Sequence, residues 1–296
     1  MSINYDHCLH PDFTENLLTY LQDGTSVNVV SEIAEADRFV IDIEGCDLPN
    51  SRVLVVNMRT CRGDYHQFLL DLWQQFHQKP LNESPDLFDL LSDLEQSEQQ
   101  FIIVLNHLDA MNEIDVDAKF NQGFYERLNS LKNYRHVALL IMTKDRYDKM
   151  LFNIEGEFKT SKLDIQQVED LPPLTMDETR NELAHRHPKL SEVHFSHIMQ
   201  LAANDYALLD YLSHQLKKSS QSWKDMSSFI LQLKNWHKQY KQQAKPQIGN
   251  RIKKFVDAVN KIIAILKINK LLNIVFSDWP IVLIEKLSEL FKKRKD

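Results

Sequence analysis

The chain has 296 residues, 43% hydrophobic and 26% charged, with a net charge of −7. This is the composition of a globular protein with a sizeable core, long enough for one large domain or two to three small ones. It excludes a disulfide framework, because the three cysteines (Cys8, Cys46, Cys61) make no CxxC pair. It also excludes any glycine-rich loop: only six glycines occur, where average usage gives about 20, and no two are close.

The opening MSINYDHCLHPDF has neither the basic nor the apolar region of a signal peptide. No run of about 18 uninterrupted apolar residues appears. A cytoplasmic protein with free thiols is expected. The modest net charge hides a split. From Tyr211 onward there are 18 Lys and Arg against 6 Asp and Glu, a net of +12, whereas the first 210 residues carry 17 against 36, a net of −19. A basic C-terminal region suits an anionic partner or docking onto the acidic remainder.

In chain order, residues 10–24 read as a short helix closed by Gly24, and SVNVV (26–30) as a strand. SEIAEADR (31–38) reads as a loop, and ADRFVIDIEGC (36–46) as a helix. RVLVVNM (52–58) is a buried strand, 64–77 an amphipathic helix, and 84–96 a helix with Ser84 as cap and Pro85 at its first position. QFIIVLNHLDAM (100–111) gives the strongest strand signal. A helix over 123–133, a strand over 136–145 and a weaker strand over 162–168 follow. Alternating strands and helices imply an α/β fold, a parallel sheet with helices on both faces. After Pro172-Pro173 the pattern is helical. Thr175 and Glu178 form a capping box, and helices are expected over 176–186, 191–203, 205–218 and 222–243, then 251–276 and 280–296.

The order of these pieces resembles P-loop NTPases of the AAA+/STAND kind, including the Cdc6/Orc-like origin-recognition ATPases, over residues 10–218. LLTYLQDGTSVNVV resembles the helix and strand before a Walker A loop, and IIVLNHLDAM a Walker B strand. FYERLNSLKNYRHVALLIMTKD resembles the helix and strand ending in a polar sensor, here Thr143. LPPLTMDETRNEL resembles the entry to a helical lid. The resemblance implies a P-loop NTPase-like core over 1–170, a lid over 171–220 and a basic helical module over 221–296.

It also implies that the chemistry is gone. A Walker A loop needs glycines so that backbone N–H groups can reach phosphate, a Lys for phosphate charge and a Ser/Thr for Mg²⁺. On that overlay Ser31 and Ala36 replace the glycines, Asp37 the lysine and Arg38 the Ser/Thr. Asn106 and His107 replace the Walker B Asp and Glu, and Tyr206 stands for the lid proline. These degenerate positions and Thr143 are the expected remains of a nucleotide site. No cofactor, no metal, no catalytic residue and no small-molecule substrate is expected.

Other groupings carry less. His185, His187, His194 and His197 crowd the lid without a Cys or acidic cluster at ligand spacing. Cys8 between His7 and His10 reads as a surface cysteine rather than a nucleophile. The apolar face of 251–276 packs in a helical bundle, seats in a partner's groove or lies on an anionic membrane. Its Lys253, Lys254, Lys261, Lys267 and Lys270, with Lys292, Lys293, Arg294 and Lys295, are the candidate partner-binding residues. The expected function is a pseudo-ATPase that acts as an interaction scaffold or regulatory subunit. Its partners would be other protein subunits, itself or an active ATPase or effector, in the manner of bacterial defence, mobile-element or replication systems. The alternative is an adaptor that binds DNA or an anionic membrane through 211–296.

Overall fold

Helix α1 (Pro11–Gln22) starts with proline at its first position, where a missing N–H costs nothing, and buries Leu17, Leu18 and Leu21. Gly24 follows it at φ 78°, a left-handed conformation that favours glycine. Next come β1 (Val27–Val30), α2 (Ile33–Gly45), β2 (Ser51–Asn57), the single turn α3 (Met58–Cys61), α4 (Tyr65–His77), α5 (Leu87–Gln96) and β3 (Gln100–Asn106). A 3-10 turn (Leu108–Asn112), α6 (Gln122–Ser130) and a second 3-10 turn (Leu131–Asn133) lead to β4 (Val137–Thr143). The hairpin β5 (Leu151–Ile154) and β6 (Glu157–Thr160) precedes β7 (Gln167–Asp170). The helices α7 (Met176–Arg186), α8 (Glu192–Ala202) and α9 (Tyr206–Lys218) follow. This computed structural model describes residues 5, 8–78, 86–113, 115–134, 136–147, 151–154, 157–160, 163–203, 205–219, 223 and 225–243.

Five strands form one parallel sheet in the order β2-β3-β4-β1-β7. After β1 the chain crosses to the far edge, while β7 returns to the other side of β1. The strand order therefore reverses at β1, and open α/β sheets bind ligands at the carboxyl ends of their strands beside such a reversal.

The period-two alternation of the central strands feeds two cores. Ile102, Val104, Ala138, Leu140 and Met142 face α1 and α2, packing on Leu18, Phe39 and Ile43. Phe101, Ile103, Leu105, Leu139 and Ile141 face the α3–α6 side, packing on Phe68, Leu72, Leu90 and Phe124. Both faces are covered, so β3 and β4 are almost wholly apolar. Phe68, Phe120 and Phe124 meet edge-on with centroids 5.0–5.6 Å apart, which adds about 0.5–1.5 kcal/mol per pair beyond the area buried.

The chain divides into two compact units, Met1–Ile230 and Leu231–Asp296. Core strands and α7–α9 share the first. Residues 226–230 are helical in the first unit and 231–243 in the second. No helix among the described residues is long and apolar enough to cross a membrane. The expected helices 251–276 and 280–296, with all nine candidate partner-binding residues, lie outside the described residues.

Several expectations shift. Helix α2 begins at Ile33, not Ala36, because Ile33, Ala36, Phe39, Val40 and Ile43 continue one apolar stripe. Helix α5 is capped by Asp86, whose side chain accepts from the Phe88 N–H; Ser84 and Pro85 lie outside the described residues. The strand expected over 162–168 is β7 at 167–170. Leu163 and Ile165 are buried in the core without being strand. The β5–β6 hairpin was not expected at all.

Edge strand β2 is closed by a side chain. Gln75 of α4 accepts from the Val55 N–H at 2.7 Å and donates to the Val55 carbonyl at 2.7 Å, copying a neighbouring strand. Arg52 fixes the end of α4 through the carbonyls of Gln75 and Phe76. Unpaired edges invite other chains to pair. Gln75→Ala should therefore cost about 1–2 kcal/mol, and make the chain self-associate with concentration. Gln67→Ala, at an exposed site on the same helix, should stay within about 0.5 kcal/mol. Urea unfolding and sedimentation read both effects.

Candidate functional site at the carboxyl edge of the sheet

Only Ser31 and Glu32 separate β1 from α2. The backbone N–H of Ser31 donates to the Thr143 carbonyl at 2.9 Å, which prolongs the strand pairing. Glu32 is the helix cap, makes no side-chain capping bond, and pairs instead with Lys144 at 2.9 Å. Ile33 to Ala36, the middle of the expected loop, are the first turn of the helix.

Asp37 lies one position beyond that first turn. Its Oδ1 accepts from Asn106 Nδ2 at 2.9 Å and from His107 Nε2 at 2.6 Å. The Asp37 side chain is half exposed while that of His107 is 3% exposed, so the carboxylate covers the end of β3 like a lid. His107 has φ 57° and ψ 45°, a left-handed backbone that costs a non-glycine residue of order 1 kcal/mol or more. The bond to Asp37, and that from the Ala110 N–H to its carbonyl at 2.9 Å, hold it there. Beneath, buried Asn28 donates to the Ile141 carbonyl and Thr143 Oγ1 and accepts from the Tyr147 N–H.

Arg38, the next residue, turns the other way. It pairs with Asp42 one turn along and reaches Glu182 of α7, with Nε–Oε1 3.3 Å and Nη2–Oε2 3.4 Å. Glu182 also receives Arg186, which bonds Asp210 of α9 at 2.6 Å and the Tyr206 hydroxyl at 2.5 Å. Asp42 is wholly buried and accepts from the Leu9 N–H at 2.7 Å. Burial pushes the Glu182 carboxyl up, yet Arg186 and Arg38 together hold it below the usual carboxylate range. Burial pulls Arg186 down, but Asp210 and Glu182 raise it above its ordinary value. Removing one partner from such a buried pair costs about 3–5 kcal/mol.

Seven of the eight expected residues thus fall into three groups. Asp37, Asn106 and His107 converge; Ser31 joins Thr143 through the backbone; Arg38 and Tyr206 belong to the ion network under α7. Ala36 faces the core. Sequence reading missed Asp42, Glu182, Arg186 and Asp210. The i, i+4 spacing of Arg38–Asp42 and Glu182–Arg186 was the available signal. Among the lid histidines, His194 bonds Ser191 at 2.6 Å, and no metal-holding group of three or more His, Cys, Asp or Glu exists among the described residues. Cys8 is buried, not at the surface, because its sulfur packs on Cys46.

The edge is also acidic. Burial, then Glu32 and Asp205, push the Glu35 carboxyl up to about 7. Its folded-state value lies above the ordinary 4.5, so its contribution is full below pH 4.5 and is lost as pH rises through about 7. Glu35→Gln should therefore raise Tm at pH 8, with the gain closing towards pH 4.5. Thermal unfolding of both proteins across that range checks the sign.

No family model matches the chain, and no curated protein matches it in sequence. Its fold is similar to that of the Walker-type ATPase of Pyrococcus abyssi, at 11% identity and a TM-score of 0.53, over 86% of this chain and 77% of that one. Overlap is lower with the ORC1 protein of Aeropyrum pernix in complex with DNA, at 15% identity and 0.46 over 79% of this chain and 69% of that one. With Drosophila ORC bound to DNA it is 14% and 0.48 over 70% of this chain, which spans 60% of the Drosophila chain. The fold is P-loop NTPase-like, a parallel sheet covered by helices and followed by helical regions.

Proposed function

We propose that this chain is a catalytically inactive pseudo-ATPase, serving as an interaction scaffold or regulatory subunit of a larger assembly such as a bacterial defence, mobile-element or replication system. The observation that carries the reading is the Asp37 carboxylate, bonded to Asn106 and His107 where a nucleotide's phosphate and metal would meet the sheet. A phosphate charge about 4 Å from that carboxylate would be repelled by about 4 kcal/mol at an effective dielectric of 20, close to a thousandfold in affinity. Asn106 is a poorer magnesium partner than a carboxylate. The two-residue link before α2, Ser31 and Glu32, carries neither the glycines nor the lysine of a phosphate cradle. With the site filled from within, the surface rather than a reaction is what the fold has to offer, and other protein subunits are the partners that suit it.

Calorimetry of the full chain with ATP or ADP and magnesium tests this. No heat of binding is expected at millimolar nucleotide; magnesium-dependent micromolar binding would overturn it.

The charge split favours one second reading, an adaptor that holds DNA or an anionic membrane through 211–296, where the net charge is +12. Binding to duplex DNA or to phosphatidylserine vesicles should then fall steeply with salt, and disappear when 251–296 is deleted. Salt-independent binding, or none, removes this reading and leaves the first intact.

A further inference from the structure

The sulfurs of Cys8 and Cys46 lie 3.9 Å apart, both buried, on segments 38 residues apart in sequence. A disulfide needs about 2.05 Å, so the two must close by roughly 1.9 Å. Neither sits in the interior of a regular element. Cys8 is in a bend held by its N–H to the Tyr5 carbonyl at 2.9 Å, and Cys46 is the residue after α2, with extended backbone. Closing them asks for movement only of the bend at Cys8 and of the residue after α2, not of a helix interior.

The surroundings give the bond a consequence. Residues 8–10 form a strap over α2. The Leu9 N–H binds the buried Asp42 carboxylate, and His10 Nδ1 meets Glu178 Oε1 in the capping box of α7 at 3.2 Å. The strap therefore touches both the helix that carries Asp37 and Arg38 and the first helix of the lid.

We propose that Cys8 and Cys46 are a redox modification site, in which a peroxide converts the two thiols to a disulfide that staples the N-terminal strap to the end of α2. The Cys46 thiolate attacks the peroxide O–O bond, giving a sulfenic acid and, after protonation, an alcohol or water. The Cys8 sulfur then displaces hydroxide from the Cys46 sulfur, which leaves as water with the Cys8 proton. Two electrons pass from the thiols to the peroxide, and a small-molecule thiol reverses the bond. Cys8 and Cys46 can exchange these roles and the chemistry is symmetric, since either sulfur can donate in the contact between them. Cys61 stays out of the reaction. It lies in the opposite core, its thiol donates to the Asn57 carbonyl, and burial, then Asp71, push it up to about 12.

The test is hydrogen peroxide added to the full native chain, followed by alkylation in denaturant and peptide mass analysis. The expected result is one alkylated cysteine, Cys61, and a Cys8–Cys46 cross-linked peptide. Tm should rise by roughly 5–10 °C, since a loop of this length is closed in the unfolded chain, and dithiothreitol should reverse the rise. Cys61→Ser should keep the cross-link, and Cys8→Ser or Cys46→Ser should lose it. Three alkylated cysteines after peroxide, a sulfinic acid at Cys46 in place of the cross-link, or bridging between chains would each overturn the proposal. The wild-type readout needs no variant to fold.

Discussion

A carboxylate with no contact to solvent stays ionised only where cations and N–H groups surround it, and Asp42 imposes that condition on everything around α2. It is met by the Leu9 N–H from one side and Arg38 from the other. Arg38 in turn must lie flat under α7, where Glu182 completes its shell and is itself neutralised by Arg186. Arg186 ends the chain of charges at Asp210 and the Tyr206 hydroxyl of α9. One buried charge therefore fixes the N-terminal strap, the helix after β1 and two of the three lid helices. Each member is half-buried or more, except Asp210, so the energy at stake is that of desolvated ions and not of screened surface pairs.

Asp37 and Arg38 are adjacent, and successive residues on a helix point about 100° apart. The same two positions thus serve two surfaces. Asp37 seals the end of β3 against Asn106 and His107, and Arg38 joins the helix to the lid. One dipeptide reaches both, with its own charges and no loop.

Much of the fold was legible because the central strands are apolar on both faces, a signal that needs no partner to interpret. The capping box at Thr175 and the glycine after α1 were equally local. The start of α2 was not. Glu32 makes no side-chain cap, and the expectation of a phosphate loop overrode the stripe from Ile33 to Ile43. Strand β7 was displaced because it is an edge strand of Gln, Val, Glu and Asp, while the apolar residues just before it are buried in the opposite core. At the site, Asp37, Asn106 and His107 were legible as a set through the resemblance. The pairing of Arg38 with a glutamate 144 residues away was not, since sequence spacing carries no information about such a contact.

The carboxyl edge of the sheet still has the composition of a binding crevice, with Ser31, Asn28, Asn106, His107 and Thr143 all buried among apolar strands. Polar side chains there weaken a core unless each finds a partner. In this chain most of the partners are internal: Asn28 bonds three groups, Thr143 two, and Asp37 serves both residues at the end of β3. The left-handed backbone of His107 fits the same pattern, for its ring is held by the Asp37 carboxylate. Two buried atoms of the crevice, Ser31 Oγ and Asn106 Oδ1, keep no hydrogen-bond partner within the protein. Fold alone stops specifying function at this point, and the side chains of the crevice carry the rest.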